Sequence, residues 1–338
     1  MRVAAITGSR QVELQERPDP KAGGSTATVA VEIAPLCTEF KGWVAGQRSD
    51  RLGHEAVGRV LDAGQSEIVR SGDRVIVMPQ YGCGICEYCV SGEHIYCRHH
   101  RDVLEETGSV AGTATLAEVV LKPDWLLVPI PDDMSSRHAA MACCGFGPGF
   151  NAVHRMAVAG PEVVLVSGCG PVGLGAMICA RALGATVIGL ELEPYRQDLA
   201  RRLGAALVVD PREEGAVDAI LSATRGRGVD AAVDTTNAEA AQRVILEALR
   251  PLARLTYVGW GAVAHVPDIV PRGLQVNGCW HWNHKVHAPE MLSVIRASAG
   301  QIDTFVTHTF PLEELGEAFE LQRTGRCGKV LITVGREA

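Results

Sequence analysis

The pattern of apolar and polar positions divides this chain into two folding regimes and a short closing segment. Up to about residue 145, strand-length apolar runs alternate with Gly, Pro and Asp breaks: Arg2–Thr7, Ala27–Ile33, Ala56–Ala63, Arg74–Met78 and Ala117–Leu121. Many short strands with few helical periods predict a β-rich, barrel-like domain. From about 146 to 284 the pattern becomes strand–helix alternation. It predicts strands at Val163–Ser167, Thr186–Leu190, Ala206–Val209, Ala231–Asp234, Leu255–Val258 and Leu274–Gly278. Helices are predicted at Pro171–Leu183, Tyr195–Leu203, 215–223 and 239–249. Continuous apolar strands alternating with helices indicate a doubly wound parallel sheet covered on both faces, and so an α/β fold. The remaining residues suggest helices near 289–298 and 312–322 and a last strand, Lys329–Val334. They are too few for a domain of their own and are expected to pack back on the first one.

Length and charge narrow the function classes. A chain of 338 residues has room for about two cored domains. Its net charge of −7, without a dense Lys/Arg block, gives no reason to invoke nucleic acid or an anionic membrane surface. No apolar run approaches the ~20 residues of a membrane span. The N-terminal stretch lacks an apolar leader core, which predicts a cytoplasmic protein. In a chain without an export signal, its eleven cysteines point to metal more than to disulfides.

Three motifs carry candidate chemistry. Val163–Ser167 runs into Gly168-Cys169-Gly170-Pro171-Val172-Gly173, a G-x-G-x-x-G turn between strand and helix. Such a turn brings backbone N–H groups and a helix N-terminus to a pyrophosphate, and Pro171 suits the first helical turn. Glu191 closes the next strand 18 residues after Gly173, where an acid accepts the ribose hydroxyls and repels a 2′-phosphate. That favours NAD over NADP. Glu193 is a rival for the role, and Arg196 lies close enough in sequence to stack on the adenosine or reach a 2′-phosphate. Second, Cys83, Cys86, Cys89 and Cys97 form C-x2-C-x2-C-x7-C, a four-thiolate set suited to a closed, structural zinc; an iron–sulfur cluster is the alternative. Third, Cys37, His54-Glu55 after Gly53, and Cys143-Cys144-Gly145 are scattered potential ligands, each weak alone.

Taken in order, Cys37, the G-H-E at 53–55, the cysteine lobe, Cys144-Gly145 and the glycine turn resemble the zinc-containing medium-chain dehydrogenases, among them alcohol, sorbitol and threonine dehydrogenases. The resemblance spans essentially the whole chain. It implies a Rossmann NAD-binding domain at 147–284 and a GroES-like catalytic domain at 1–146 and 285–338, with the structural zinc lobe at 82–98. It implies Cys37, His54 and Cys144 as ligands of a catalytic zinc, with Cys143 as the alternative to Cys144. Glu55 matches an acid that can ligate zinc transiently, and Pro148, Val172, Val258 and Cys279 to His281 match the chain that passes the nicotinamide. The implied reaction is hydride transfer between a primary or secondary alcohol and NAD in a homodimer or homotetramer. The alternatives are an NADP-linked carbonyl or activated-alkene reductase, and a non-catalytic zinc-stabilised NAD-binding protein.

One departure stands beside Cys37. The family pattern has a hydroxyl two positions after this cysteine, whereas here the order is Cys37-Thr38-Glu39. Thr38 or Glu39 would then pass the substrate proton, or Glu39 would bind a polar substrate. With His281 in the run Trp280-His281-Trp282-Asn283-His284, which would contact substrate or build a subunit interface, Glu39 suggests a polyol, sugar or aminocyclitol. Trp43 is expected to line the cleft; His138, His154, His265 and His308 read as ordinary structural or surface residues.

Overall fold

The computed structural model describes all residues except 109, 111–113, 262–265 and 336–338; His265 therefore lies outside the described residues. The chain forms two compact units, 1–143 with 283–296 and 306–338, and 144–282 with 297–305.

Among the described residues, seven strands open the first unit: β1 (Arg2–Gly8), β2 (Gln11–Glu16), β3 (Thr26–Pro35), β4 (Ala56–Asp62), β5 (Arg74–Val77), β6 (Val119–Pro123) and β7 (Leu127–Pro129). Six build the second: β8 (Val163–Ser167), β9 (Thr186–Leu190), β10 (Leu207–Val209), β11 (Val229–Asp234), β12 (Leu249–Tyr257) and β13 (Gln275–Gly278). Two more, β14 (Val306–Pro311) and β15 (Lys329–Thr333), return to the first unit.

In the first unit β1 and β2 make an antiparallel hairpin. The large sheet runs β14-β15-β3-β4-β5-β7, with β6 also paired to β3. β3 lies antiparallel to both β4 and β15, so its C-terminal end adjoins the start of each. β3 is apolar and buried over most of its length, as a strand covered on its faces reads. The helix Leu315–Thr324 lays Leu315, Ala318 and Phe319 on the same core as Val29, Val31, Leu36 and Ile332. Trp43 belongs to that core too: it is buried with its ring centroid 5.8 Å from that of Phe319, so the expectation that it lines a cleft is corrected. A large apolar ring gains more from close packing than from exposure at a wet surface.

The second unit has six parallel strands in the order β10-β9-β8-β11-β12-β13. The order reverses between β8 and β11, and the carboxyl ends of strands at such a reversal are where α/β sheets bind ligands. Residues 297–305 join this unit, where Ile302 and Phe305 are buried and Gln301 donates to the Leu203 carbonyl at 3.4 Å. The expectation that all the closing residues pack on the first domain is corrected for this stretch. The helix expected near 289 starts earlier, at His284, with Pro289 inside it.

Asp230 anchors the start of β11. Its carboxylate is buried and accepts from Val163 N at 2.8 Å, Arg250 Nε at 2.7 Å and Arg227 at 3.0 Å. Burial works to raise its pKa, but these bonds outweigh it and hold the group below the usual aspartate value. A depressed folded pKa contributes stability above the unfolded value, which is lost as pH falls through the lowered one. Asp230→Asn should cost about 2 kcal/mol near neutral pH and flatten the acid side of the stability curve. Denaturant unfolding from neutral to acid pH tests this, and equal slopes for the two proteins would refute it.

Candidate active site

The sheet pairing brings the first unit's candidate ligands together. Cys37 follows the end of β3, and His54-Glu55 directly precede β4, its antiparallel neighbour. Gly53 has φ +82°, and a Cβ there would lie 2.6 Å from Thr115 Oγ1 and 2.9 Å from Leu116 N, so only glycine carries the chain into His54 at this approach. The ligand atoms of Cys37, His54 and Glu55 lie within 4.8 Å of one another.

Each is held from behind. His54 Nδ1 donates to Glu39 Oε1 at 2.9 Å, and its Nε2 is 4.0 Å from Glu55 Oε1. Glu39 Oε2 accepts from Cys37 N at 2.9 Å. The Glu39 carboxylate is therefore buried between Cys37 and His54, while Thr38 is the exposed residue of the pair. This is the carboxylate–imidazole arrangement that fixes a histidine's tautomer and turns its other nitrogen to a metal. Glu55 is fully buried and accepts from Lys329 Nζ at 2.9 and 3.0 Å. Lys329 starts β15, where the pairing Leu331↔Pro35 sets it beside the end of β3.

The electrostatics suit a cation. Burial disfavours the imidazolium, but hydrogen bonds with Cys37 and Glu39 outweigh it and hold His54 well above the usual histidine range. Burial opposes ionisation of Glu39 too, yet its bond to His54 keeps it below the usual glutamate value. Burial pushes Glu55 up to about 7, with the Lys329 charge pulling the other way. A thiolate, an imidazole and a carboxylate converging at these distances make a donor set that fits zinc.

Cys143, which ends the first unit's stretch 1–143, points its Sγ at the carbonyls of Val77 (3.6 Å) and Ala56 (3.8 Å), and burial raises its pKa. This thiol is engaged with strand carbonyls and sits one residue before Cys144. The four lobe cysteines also converge: Cys83 and Cys89 sulfurs are 3.9 Å apart, and Cys86 and Cys97 are 3.7 Å apart. Thiolates ~2.3 Å from one tetrahedral ion are about 3.8 Å from each other. A cluster would interpose several irons and spread the sulfurs, so the spacing favours a single ion.

In the second unit the turn after β8 has the expected form. Gly168 has φ +82°, and a Cβ on Gly173 would lie 1.8 Å from the Gly168 carbonyl, so neither position accepts a side chain. Pro171 begins the helix Pro171–Ala182. A Cβ on Gly170 would meet nothing nearer than Arg196, at 3.7 Å, which leaves its backbone approachable. Val172 and Val258 are half-buried, and Cys279 is buried with Sγ 3.4 Å from the Pro148 carbonyl. Glu191 is buried at the end of β9, not a solvated loop acid. Its Oε2 accepts from Cys169 N at 2.7 Å, and its Oε1 from Leu192 N at 2.8 Å and Glu193 N at 2.9 Å. With about four acceptor sites per carboxylate, one remains, so room for both ribose hydroxyls is more than this geometry leaves. Glu193 accepts from Tyr195 N at the start of the next helix instead.

His281 is buried; a Cβ on Gly147 would lie 2.8 Å from its Nε2, and its carbonyl accepts from Asn151. The aromatic run divides: Trp280 is partly exposed against Trp260, Trp282 is buried against Phe150, and His284 stacks on His94 in the first unit. The residues that sequence reasoning missed are Lys329 and Gln322. Their only sequence signal is a polar residue in an otherwise apolar strand and helix stripe.

Comparison with known proteins agrees with both units. The family described as alcohol dehydrogenase GroES-like domain matches residues 25–132, and that described as zinc-binding dehydrogenase matches 171–296. An L-threonine 3-dehydrogenase of Anaeromyxobacter sp. (strain Fw109-5) is 30% identical in an alignment that covers 98% of this chain and 99% of that protein. The sorbitol dehydrogenase of Bacillus subtilis (strain 168) is 28% identical, covering 99% and 98%. Among solved structures, alcohol dehydrogenase TADH from Thermus sp. ATN1 superposes with a TM-score of 0.87 at 24% identity, over 99% of this chain and 100% of that one. A protein described as an NAD-dependent alcohol dehydrogenase gives 0.82 at 26%, over 99% and 100%. With candidate ligands at strand ends in one unit, a glycine turn in the other, and relatives matched along nearly their whole length, this chain belongs to the zinc-containing medium-chain dehydrogenase family of oxidoreductases.

Proposed function

We propose that this protein is a zinc-dependent, NAD-linked dehydrogenase acting on an alcohol flanked by other polar groups, such as a polyol, sugar or aminocyclitol. The observation that carries the zinc reading is the bond from His54 Nδ1 to Glu39, which aims the other imidazole nitrogen towards Glu55 and Cys37. Cys37, His54 and Cys144 are the proposed ligands of the catalytic zinc, with Cys144 assigned from the family pattern and from Cys143 being engaged elsewhere. Cys83, Cys86, Cys89 and Cys97 are the proposed structural set. When bound, the zinc supplies Lewis acidity towards an alcohol or carbonyl oxygen, and the nicotinamide supplies the hydride acceptor.

The chain's own residues do the rest. Glu39 orients His54 and is occupied in doing so, which leaves the exposed Thr38 hydroxyl to pass the substrate proton towards solvent. Lys329 holds the Glu55 carboxylate as an ion pair. Gly168, Gly170, Pro171, Val172 and Gly173 cradle the pyrophosphate. Glu191 accepts one ribose hydroxyl, disfavours a 2′-phosphate, and is locked to the same turn through Cys169 N. Arg196 borders the turn near Gly170; Val258 and Cys279 border the nicotinamide. With the Glu39 carboxylate engaged by His54 and His281 buried, support for an alcohol flanked by other polar groups comes from the sorbitol and threonine dehydrogenase relatives.

The test is a spectrophotometric screen of NAD and NADP reduction against polyols, sugars and simple alcohols, with and without chelator, alongside metal analysis. The expected result is two zinc equivalents per chain and chelator-sensitive reduction of NAD in preference to NADP. One equivalent with no turnover on any substrate class would support a non-catalytic binding protein instead.

A further inference from the structure

Gln322 occupies the fourth position of the stripe Leu315, Ala318, Phe319, Gln322 that the helix Leu315–Thr324 buries. Its spacing is that of an apolar core face, and folding alone asks for an apolar residue there. Instead an amide is only 6% exposed. Its Nε2 donates to the backbone carbonyl of Cys37 at 3.2 Å, and its Oε1 is buried with no hydrogen-bond partner among the described residues. A buried amide oxygen left unpaired works against folding. An amide kept at that disadvantage suggests a use for its other end.

The backbone around Cys37 shows what that use is. Cys37 lies beyond the end of β3, where the strand ladder no longer fixes it. Leu36 N donates to the Val330 carbonyl at 2.9 Å, and Cys37 N donates to Glu39 at 2.9 Å. Gln322 adds a bond to the Cys37 carbonyl at 3.2 Å. We propose that Gln322 is a positioning residue for the catalytic metal, holding the Cys37 main chain so that its thiolate meets the same ion as His54. This rests on the zinc reading above and adds to it a residue outside the ligand set and outside the ligands' own strands.

The lobe cysteines provide an internal reference. Full-length, zinc-loaded wild-type protein should release its metal to a chromophoric chelator in two phases, one per site. Gln322→Met removes the donor while keeping the length. It should speed release from the Cys37 site at least about tenfold, the usual effect of losing a partner behind a ligand. The lobe phase should not change, and the melting temperature in saturating zinc should not fall. Cobalt-substituted protein should show an altered thiolate-to-cobalt band from the same site. Gln322→Glu, which keeps a polar group but sets an acceptor against the carbonyl, should speed the same phase. If two equivalents are bound and neither variant changes release, or if both phases quicken together with a lower melting temperature, Gln322 is a packing residue and the proposal is overturned. A wild-type protein holding one equivalent overturns this proposal together with the zinc assignment of Cys37.

Discussion

His54→Ala and Cys37→Ala should each lower kcat/KM at least about a thousandfold, because Lewis-acid stabilisation is worth several kcal/mol. Binding of NAD should stay near the wild-type level. The reason is spatial: the groups assigned to the cofactor, Gly168 to Gly173 and Glu191, belong to the second unit, whereas Cys37 and His54 sit at strand ends of the first. Metal analysis should show one equivalent lost and the lobe's equivalent kept. Steady-state kinetics, a cofactor fluorescence titration and metal content on the same preparations separate the two effects. A Cys37→Ala protein that lacks this metal and still turns over at the wild-type rate would sink the zinc mechanism.

Lys329→Met should destabilise the fold strongly. Glu55 is 0% and Lys329 1% exposed, and two Nζ–carboxylate contacts of 2.9 and 3.0 Å hold them. Removing one partner strands a buried carboxylate, which costs about 3–5 kcal/mol. Part of that is relieved by protonation. Burial already lifts Glu55 to about 7 against the pull of Lys329, and loss of the lysine pushes it higher still. A raised folded pKa makes its contribution below the unfolded value and loses it as pH rises through the folded one. The variant's deficit should therefore be smallest in mild acid and grow as pH passes about 7 and beyond. The double variant Glu55→Gln/Lys329→Met should recover most of the loss, because an uncharged pair leaves no orphaned charge. Denaturant unfolding across that range reads both effects, and a Lys329→Met protein as stable as wild type at alkaline pH would refute the account.

The second unit was the more legible of the two. β8 and β9 fall on Val163–Ser167 and Thr186–Leu190 as their patterns predict, because a strand buried on both faces reads as an unbroken apolar run. The glycine turn was legible for a similar reason: positions such as Gly173, with a carbonyl 1.8 Å from where a Cβ would sit, admit one residue type. Elements that depend on distant packing left weaker marks. The helix Gly147–Arg155 begins Gly-Pro-Gly, a poor local signal, and is buried over most of its length. The strand β2, half-exposed in its hairpin, has no apolar run to announce it.

The site divides the same way. The spacing of Cys83, Cys86, Cys89 and Cys97 pointed to a metal by itself, whereas Cys37, His54 and Cys144 were singled out only by an order of motifs that resembles the family. What each neighbour does was decided by register. Glu39, two residues after Cys37, was a candidate proton relay or substrate contact; the antiparallel pairing of β3 and β4 instead sets its carboxylate on His54 Nδ1. The partnership of Glu55 with Lys329 spans 274 positions, and that of Cys37 with Gln322 spans 285. No local pattern encodes such pairs, because they exist only once β15 lies against β3 and its preceding helix packs on the same core. Sequence alone therefore determined the class of chemistry and the glycine turn, and it supplied the candidate ligands. The tertiary structure decided which buried charges hold those ligands, because hydrogen bonds and ion pairs act over a few ångströms of space and are indifferent to distance along the chain.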